Sequence, residues 1–167
     1  DYESREGYRP FIETRVIHLP DAFDDFAGLP GKDLYRAAAA HAAAHLVYTT
    51  QPLSMEQLNP AQMFLIGVFE DARVEHLAIR EFPGMKQMWA VFHGRLREVS
   101  CPTEPVVGLL ERLAYALLDQ NYHDDDGLVQ ELAAAFRQEF ARPPDDNQLC
   151  WDLGVTLYNK LGERGGI

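Results

Sequence analysis

From Asp33 onward the apolar positions recur every three or four residues, and prolines, glycines and capping residues divide them into six helical segments. The first runs from about Leu34 to Thr49, because Asp33 is placed to cap its free N–H groups and Gln51-Pro52 resists continuation. Its stripe of Leu34, Ala38, His41, His45 and Tyr48 faces the core, and its many alanines let another helix come close. Asn59-Pro60-Ala61-Gln62 combines a cap, a first-turn proline and a glutamine that returns to the cap, so a second, long helix opens there and ends near Pro83-Gly84. From Phe64 to Ile79 its apolar residues cover more than one face, which predicts a central, mostly buried helix. A third helix spans Met85 to about Arg97 and stops at Ser100-Cys101-Pro102. A fourth has Thr103 for a cap and Val106, Leu110, Leu113 and Leu117 on one face. Asp124-Asp125-Asp126 starts a fifth, whose Leu128, Leu132, Phe136 and Phe140 repeat every fourth residue until Arg142-Pro143-Pro144. Asp145-Asp146-Asn147-Gln148 opens the sixth, with Leu149, Leu153, Leu157 and Leu161 ahead of Gly162 as the stop. Residues 1–32 are irregular apart from an extended candidate at 14–19. The expected fold is all-α: one compact domain of about six helices over 33–162, with an irregular N-terminal segment and a tail at 163–167.

Composition narrows the partners more than the fold. The 167 residues, 47% of them hydrophobic, suffice for one substantial core. A formal charge of -11 opposes attraction to nucleic acid or anionic lipid and favours a basic protein surface. Cys101 and Cys150 stand far apart, without Cys-x-x-Cys spacing, so reduced thiols in the cytoplasm are expected. No apolar run approaches the roughly 20 residues of a membrane span, and no signal segment opens the chain. A start at Asp1 without methionine suggests a piece of a longer protein.

The chemistry concentrates in two helices. His41 and His45, four apart, are on one face, the spacing at which two imidazoles grip one metal ion. Asp71 and Glu75, also four apart on the central helix, are expected to be buried acids that need a partner. Facing each other, the four side chains can hold zinc or hydrogen-bond among themselves. Ala42 follows the first histidine where a hydrolytic His-Glu-x-x-His helix carries its water-activating glutamate, so no catalytic residue is assigned. Glu75 would serve as a base only if it stays free of the metal. Glu70 and Arg73, three apart, complete a core polar cluster as an ion pair, with Arg36 in reach of the same acids. His76 and His93 read as lone structural histidines. The acidic run at 124–126 lacks the further oxygens of a calcium loop and reads as a solvated helix start.

Several of these strings together resemble one family. Leu34-Tyr35-Arg36, Ala40-His41-Ala42-Ala43-Ala44-His45-Leu46, Phe69-Glu70-Asp71-Ala72-Arg73-Val74-Glu75 and Phe82-Pro83-Gly84 resemble the region preceding the von Willebrand A domain in NorD/CbbO proteins. Leu113-Ala114-Tyr115-Ala116-Leu117-Leu118-Asp119, with Tyr122 and the aspartate run, looks like its continuation. The resemblance implies a non-enzymatic accessory subunit of a hexameric MoxR-type AAA+ ATPase that remodels nitric oxide reductase or Rubisco. The target would be met through a von Willebrand A domain, whose Asp-x-Ser-x-Ser string this chain lacks. The order of histidine-pair helix and acid-bearing helix also looks like a degenerate zincin, which would place His41, His45 and Asp71 at ligand positions. The competing expectation is therefore a zinc-dependent, metallopeptidase-like hydrolase.

Overall fold

A computed structural model of the chain describes residues 11–13, 16–54, 56–99, 105–140 and 147–166. A short antiparallel hairpin, β1 (Phe11–Glu13) and β2 (Val16–His18), precedes six helices among the described residues: α1 (Gly31–Tyr48), α2 (Pro60–Glu81), α3 (Met85–Val99), α4 (Pro105–Leu118), α5 (Gly127–Phe140) and α6 (Gln148–Glu163). The fold is a single compact helical domain, as the periodicity predicts. Thr103, Cys101 and the stop and start signals at 142–146 lie outside the described residues.

Two helix starts show how local chemistry sets the ends. At α2 the full capping box forms: Asn59 Oδ1 accepts from the Gln62 N–H and the Gln62 side chain accepts from the Asn59 N–H, at 2.8 and 3.0 Å. At α1 the expected cap fails. The helix begins at Gly31, and the Gly31 N–H donates to Asp25 Oδ1 at 2.7 Å. Asp33 instead lies in the first turn and pairs with exposed Arg36 at 3.7 Å, and Arg36 is not among the partners of the α2 acids. The cause is the preceding segment, which folds back so closely that a Cβ on Gly31 would stand 1.8 Å from the Phe23 carbonyl oxygen. The last stop is also displaced. The left-handed residue is Gly165 (φ 73°), and Gly166 N–H closes back onto Leu161 O at 2.9 Å, so α6 passes through Gly162.

α2 is the axis of the domain, in contact with α1, α3, α4 and α6. Ile66, Phe69 and Val74 are wholly buried along it, and its apolar residues feed two adjoining core clusters. The larger gathers α4, α5 and α6 around Phe69, Leu113, Phe136 and Leu157. The smaller joins α1 and α3 around Ala37, Ala44, Val74 and Trp89. Phe64, expected on a buried face, is 63% exposed. The small α1 face admits the indole, and Trp89 Nε1–H donates to Ala37 O at 3.2 Å. That contact fixes the roll of α1 and turns His41 and His45 toward α2.

Candidate metal centre

The two imidazoles and the two acids of the sequence reading come together. His41 Nε2 and His45 Nε2 are 3.1 Å apart and stand 3.2 and 2.8 Å from one oxygen, Asp71 Oδ1. Glu75 and Asp71 divide the work by burial. Glu75 is buried as expected. Asp71 is not: its side chain is 53% exposed, because it is at the open edge of the α1–α2 contact.

Each histidine is oriented from behind. His41 Nδ1–H donates to Glu75 Oε1 at 2.9 Å, and the other Glu75 oxygen is 3.5 Å from His93 Nε2. His45 Nδ1 is 3.1 Å from Thr49 Oγ1, and the Thr49 hydroxyl donates to Glu70 Oε1 at 2.8 Å. Because Thr49 spends its proton on Glu70, it accepts from His45 Nδ1–H. Glu70 in turn takes two hydrogen bonds from Arg73, at 2.7 and 2.8 Å, inside the core. Backing of this kind by carboxylates and hydroxyls fixes tautomer and ring orientation in metal sites.

With each Nδ1 given over to its backing acceptor, both Nε2 atoms face the same carboxylate oxygen. Two ring nitrogens and a carboxylate oxygen at such separations are held together by N–H donation to Asp71 or by a metal ion. Burial works against charging His41, but the hydrogen bonds and charges of Asp71 and Glu75 overcome it and raise its pKa to about 10. The enclosing protein likewise opposes ionisation of Asp71, yet His41 and His45 lower its pKa to about 2. Glu75 is shifted down in the same way: burial opposes its charge, and His41 and His93 outweigh burial.

A metal ion fits the same place. Ligands about 2.0–2.2 Å from zinc at tetrahedral angles stand roughly 3.3–3.5 Å apart. From the observed 2.8–3.2 Å the ligand atoms would have to spread by about 0.1–0.7 Å, within the reach of side-chain torsions. His41, His45 and Asp71 form a group of ligand atoms able to hold a metal. Comparison with family models, curated proteins and solved structures gives no match to this chain.

Three participants escape the sequence reading. His93 has no histidine at helical spacing, but it is one turn beyond Trp89, and that spacing from a core indole points it at the same interior. Thr49 reads only as a helix end. Glu111 on α4 lines the cleft into which the two histidines open. His76 is structural, as expected: its ring is against Phe136 and Phe140 with Nε2 2.7 Å from Leu117 O, and burial lowers its pKa. The aspartate run starts α5 but is not wholly solvated. Asp124 is buried and accepts from Arg112 Nε at 2.9 Å and from the Tyr122 hydroxyl, while Asp126 is bidentate with Arg164.

Proposed function

We propose that this chain is a non-catalytic adaptor domain of an AAA+ activation system, in which His41, His45 and Asp71 hold a zinc ion that locks α1 onto α2. The metal half rests on one observation: two Nε2 atoms and a carboxylate oxygen converge while each Nδ1 is occupied by an acceptor, Glu75 directly and Thr49 backed by Glu70. Zinc suits a two-nitrogen, one-carboxylate set open to a fourth ligand. The adaptor half rests on the resemblance of most of residues 34–126 to the helical region of NorD/CbbO proteins, whose partner is a MoxR-type ATPase and whose targets are nitric oxide reductase or Rubisco. The state of the nearby carboxylates favours a scaffold over a hydrolase. Asp71 is a ligand, Glu75 is held by His41 and His93, and Glu70 by Arg73 and Thr49, so none is poised to take a proton from a metal-bound water.

Metal analysis after dialysis against zinc is the first test, with one zinc per chain expected. His41→Ala and His45→Ala should abolish binding, and Glu75→Gln should weaken it about 10–100-fold through the ring it orients. Absence of stoichiometric zinc from the wild-type chain would remove the metal half. The adaptor half predicts co-purification with a MoxR-type ATPase and a changed ATPase rate. No association at low or moderate salt would remove that half.

A second reading, a zinc-dependent hydrolase, is favoured by the cleft onto which the three ligand atoms open. It requires zinc-loaded protein to turn over peptide or ester substrates, with loss of turnover in His45→Ala.

A further inference from the structure

The cleft between α1, α2, α3 and α4 is built for more than a metal ion. It has a volume of about 1300 Å³ and is closed on one side by the segment ahead of α1. Pockets for drug-sized ligands run to about 300–1,000 Å³, so this one has room for several residues of polypeptide. Its walls carry Phe23, Phe26, Phe64, Trp89, Phe92 and Leu110. Phe64 and Phe26 leave 63% and 45% of their surface exposed at this cleft, an arrangement that suits an apolar partner.

Away from the histidine cluster its formal charges are all acidic. Asp24, Asp25, Asp71, Glu75 and Glu111 line it, and among the described residues no lysine or arginine does. Asp25, Asp71 and Glu75 are engaged by Gly31 N–H or by the histidines. Glu111 is different: its Oε2 is buried without any hydrogen-bond partner among the described residues. A buried carboxylate oxygen without a donor is a standing cost, and a turn of the Glu111 carboxylate toward the cleft would let a bound cation with N–H groups remove it.

We propose that this cleft docks an apolar polypeptide segment bearing a lysine or arginine whose cationic head meets Glu111. The apolar side chains of the segment lie against the Phe and Trp walls, and the acidic lining rejects a segment of negative charge. The site goes beyond the zinc reading: it shares the cleft with the metal centre but turns on Glu111 and the aromatic walls, which hold no part of that centre.

The test uses a short fluorescein-labelled peptide of leucine and alanine with one central lysine, and a twin with glutamate in place of the lysine. Anisotropy is followed on the full chain, once after chelator treatment and once with zinc. The lysine peptide should bind saturably in both states, and the twin at least tenfold more weakly. Glu111→Gln should weaken the lysine peptide about 10–100-fold, the range of a charge-assisted hydrogen bond. Glu131→Gln, the same charge change on α5 outside the cleft, should leave it unchanged. Phe64→Ser should weaken both peptides. Free Glu111→Gln should melt no lower than wild type, so a loss of binding is separable from a loss of fold. Equal binding of the two peptides, indifference to Glu111→Gln, or a concentration-dependent dimer that excludes the peptide would overturn the proposal. Loss of zinc with the lysine preference intact strikes the metal reading alone, and loss of the preference with zinc intact strikes this one alone.

Discussion

Arg73 and Glu70 place full charges at the middle of α2, where little water reaches them: both are buried, and the guanidinium also donates to Tyr48 O at 2.9 Å. The pair ties the end of α1 to α2 and, through Thr49, holds the ring of His45 in place. Removing one member strands the other. Arg73→Leu strips the Glu70 carboxyl of both its guanidinium donors inside the core, and is expected to lower unfolding free energy by about 3–5 kcal/mol in urea denaturation. The double variant Glu70→Leu with Arg73→Leu should recover most of that loss, because no buried charge is left behind. If the single variant were as stable as wild type, the pair would be ornamental to the fold. Nearby Cys150 is buried and free, and burial together with Glu70 pushes its thiol pKa up, so it is an apolar filler with no nucleophilic character.

At the scale of elements, the closest approach is α2 against α6. A Cβ on Gly154 would fall 2.5 Å from Ile66 Cγ1 and 2.6 Å from its Cα, so only glycine allows the two backbones to meet. Gly154→Ala should therefore force the helices apart and cost about 1–3 kcal/mol, as overpacked cores do. For a chain of this size that lowers Tm by roughly 2–12 °C. Gly67, on α2 with nothing near its missing Cβ, gives the opposite expectation: Gly67→Ala should raise stability by about 0.5–1 kcal/mol through helix propensity. Thermal melts of the two variants check both signs at once. The same comparison shows what the amino-acid string reveals. The α2 start is legible because Asn59, Pro60 and Gln62 satisfy one another within one turn. The α1 start is not, since the acceptor for Gly31 comes from a fold-back at Asp25 whose geometry no local pattern encodes. Helical spacing puts His41 with His45 and Asp71 with Glu75, and the facing of those pairs follows once α1 and α2 are neighbours. His93 and Glu111 arrive from α3 and α4, and their place beside the cluster depends on the packing of four helices, which spacing within one helix cannot express.

For the whole molecule, the decisive property is the balance of charge around the cluster, and it fixes how stability varies with pH. His41 has a folded pKa of about 10 against an ordinary 6.5, so its contribution is complete below 6.5 and is lost as pH rises through about 10. Asp71 has a folded pKa of about 2 against 3.8, so its contribution is complete above 3.8 and is lost as pH falls through about 2. In chelator-treated protein both act fully only between 3.8 and 6.5. The difference in Tm between wild type and His41→Gln should therefore be largest in that interval and shrink steadily toward pH 10. Zinc reverses the trend on the alkaline side, because it takes the position of the proton between His41 and Asp71 and binding releases that proton to solvent. The Tm gain on adding zinc should accordingly grow from pH 6 to pH 8.5. Melts at several pH values, with chelator and with zinc, separate the two states. A wild-type advantage over His41→Gln that stays level across the alkaline range would mean that His41 is not the proton carrier of the cluster, and a zinc gain that does not rise with pH would mean that the metal does not displace that proton.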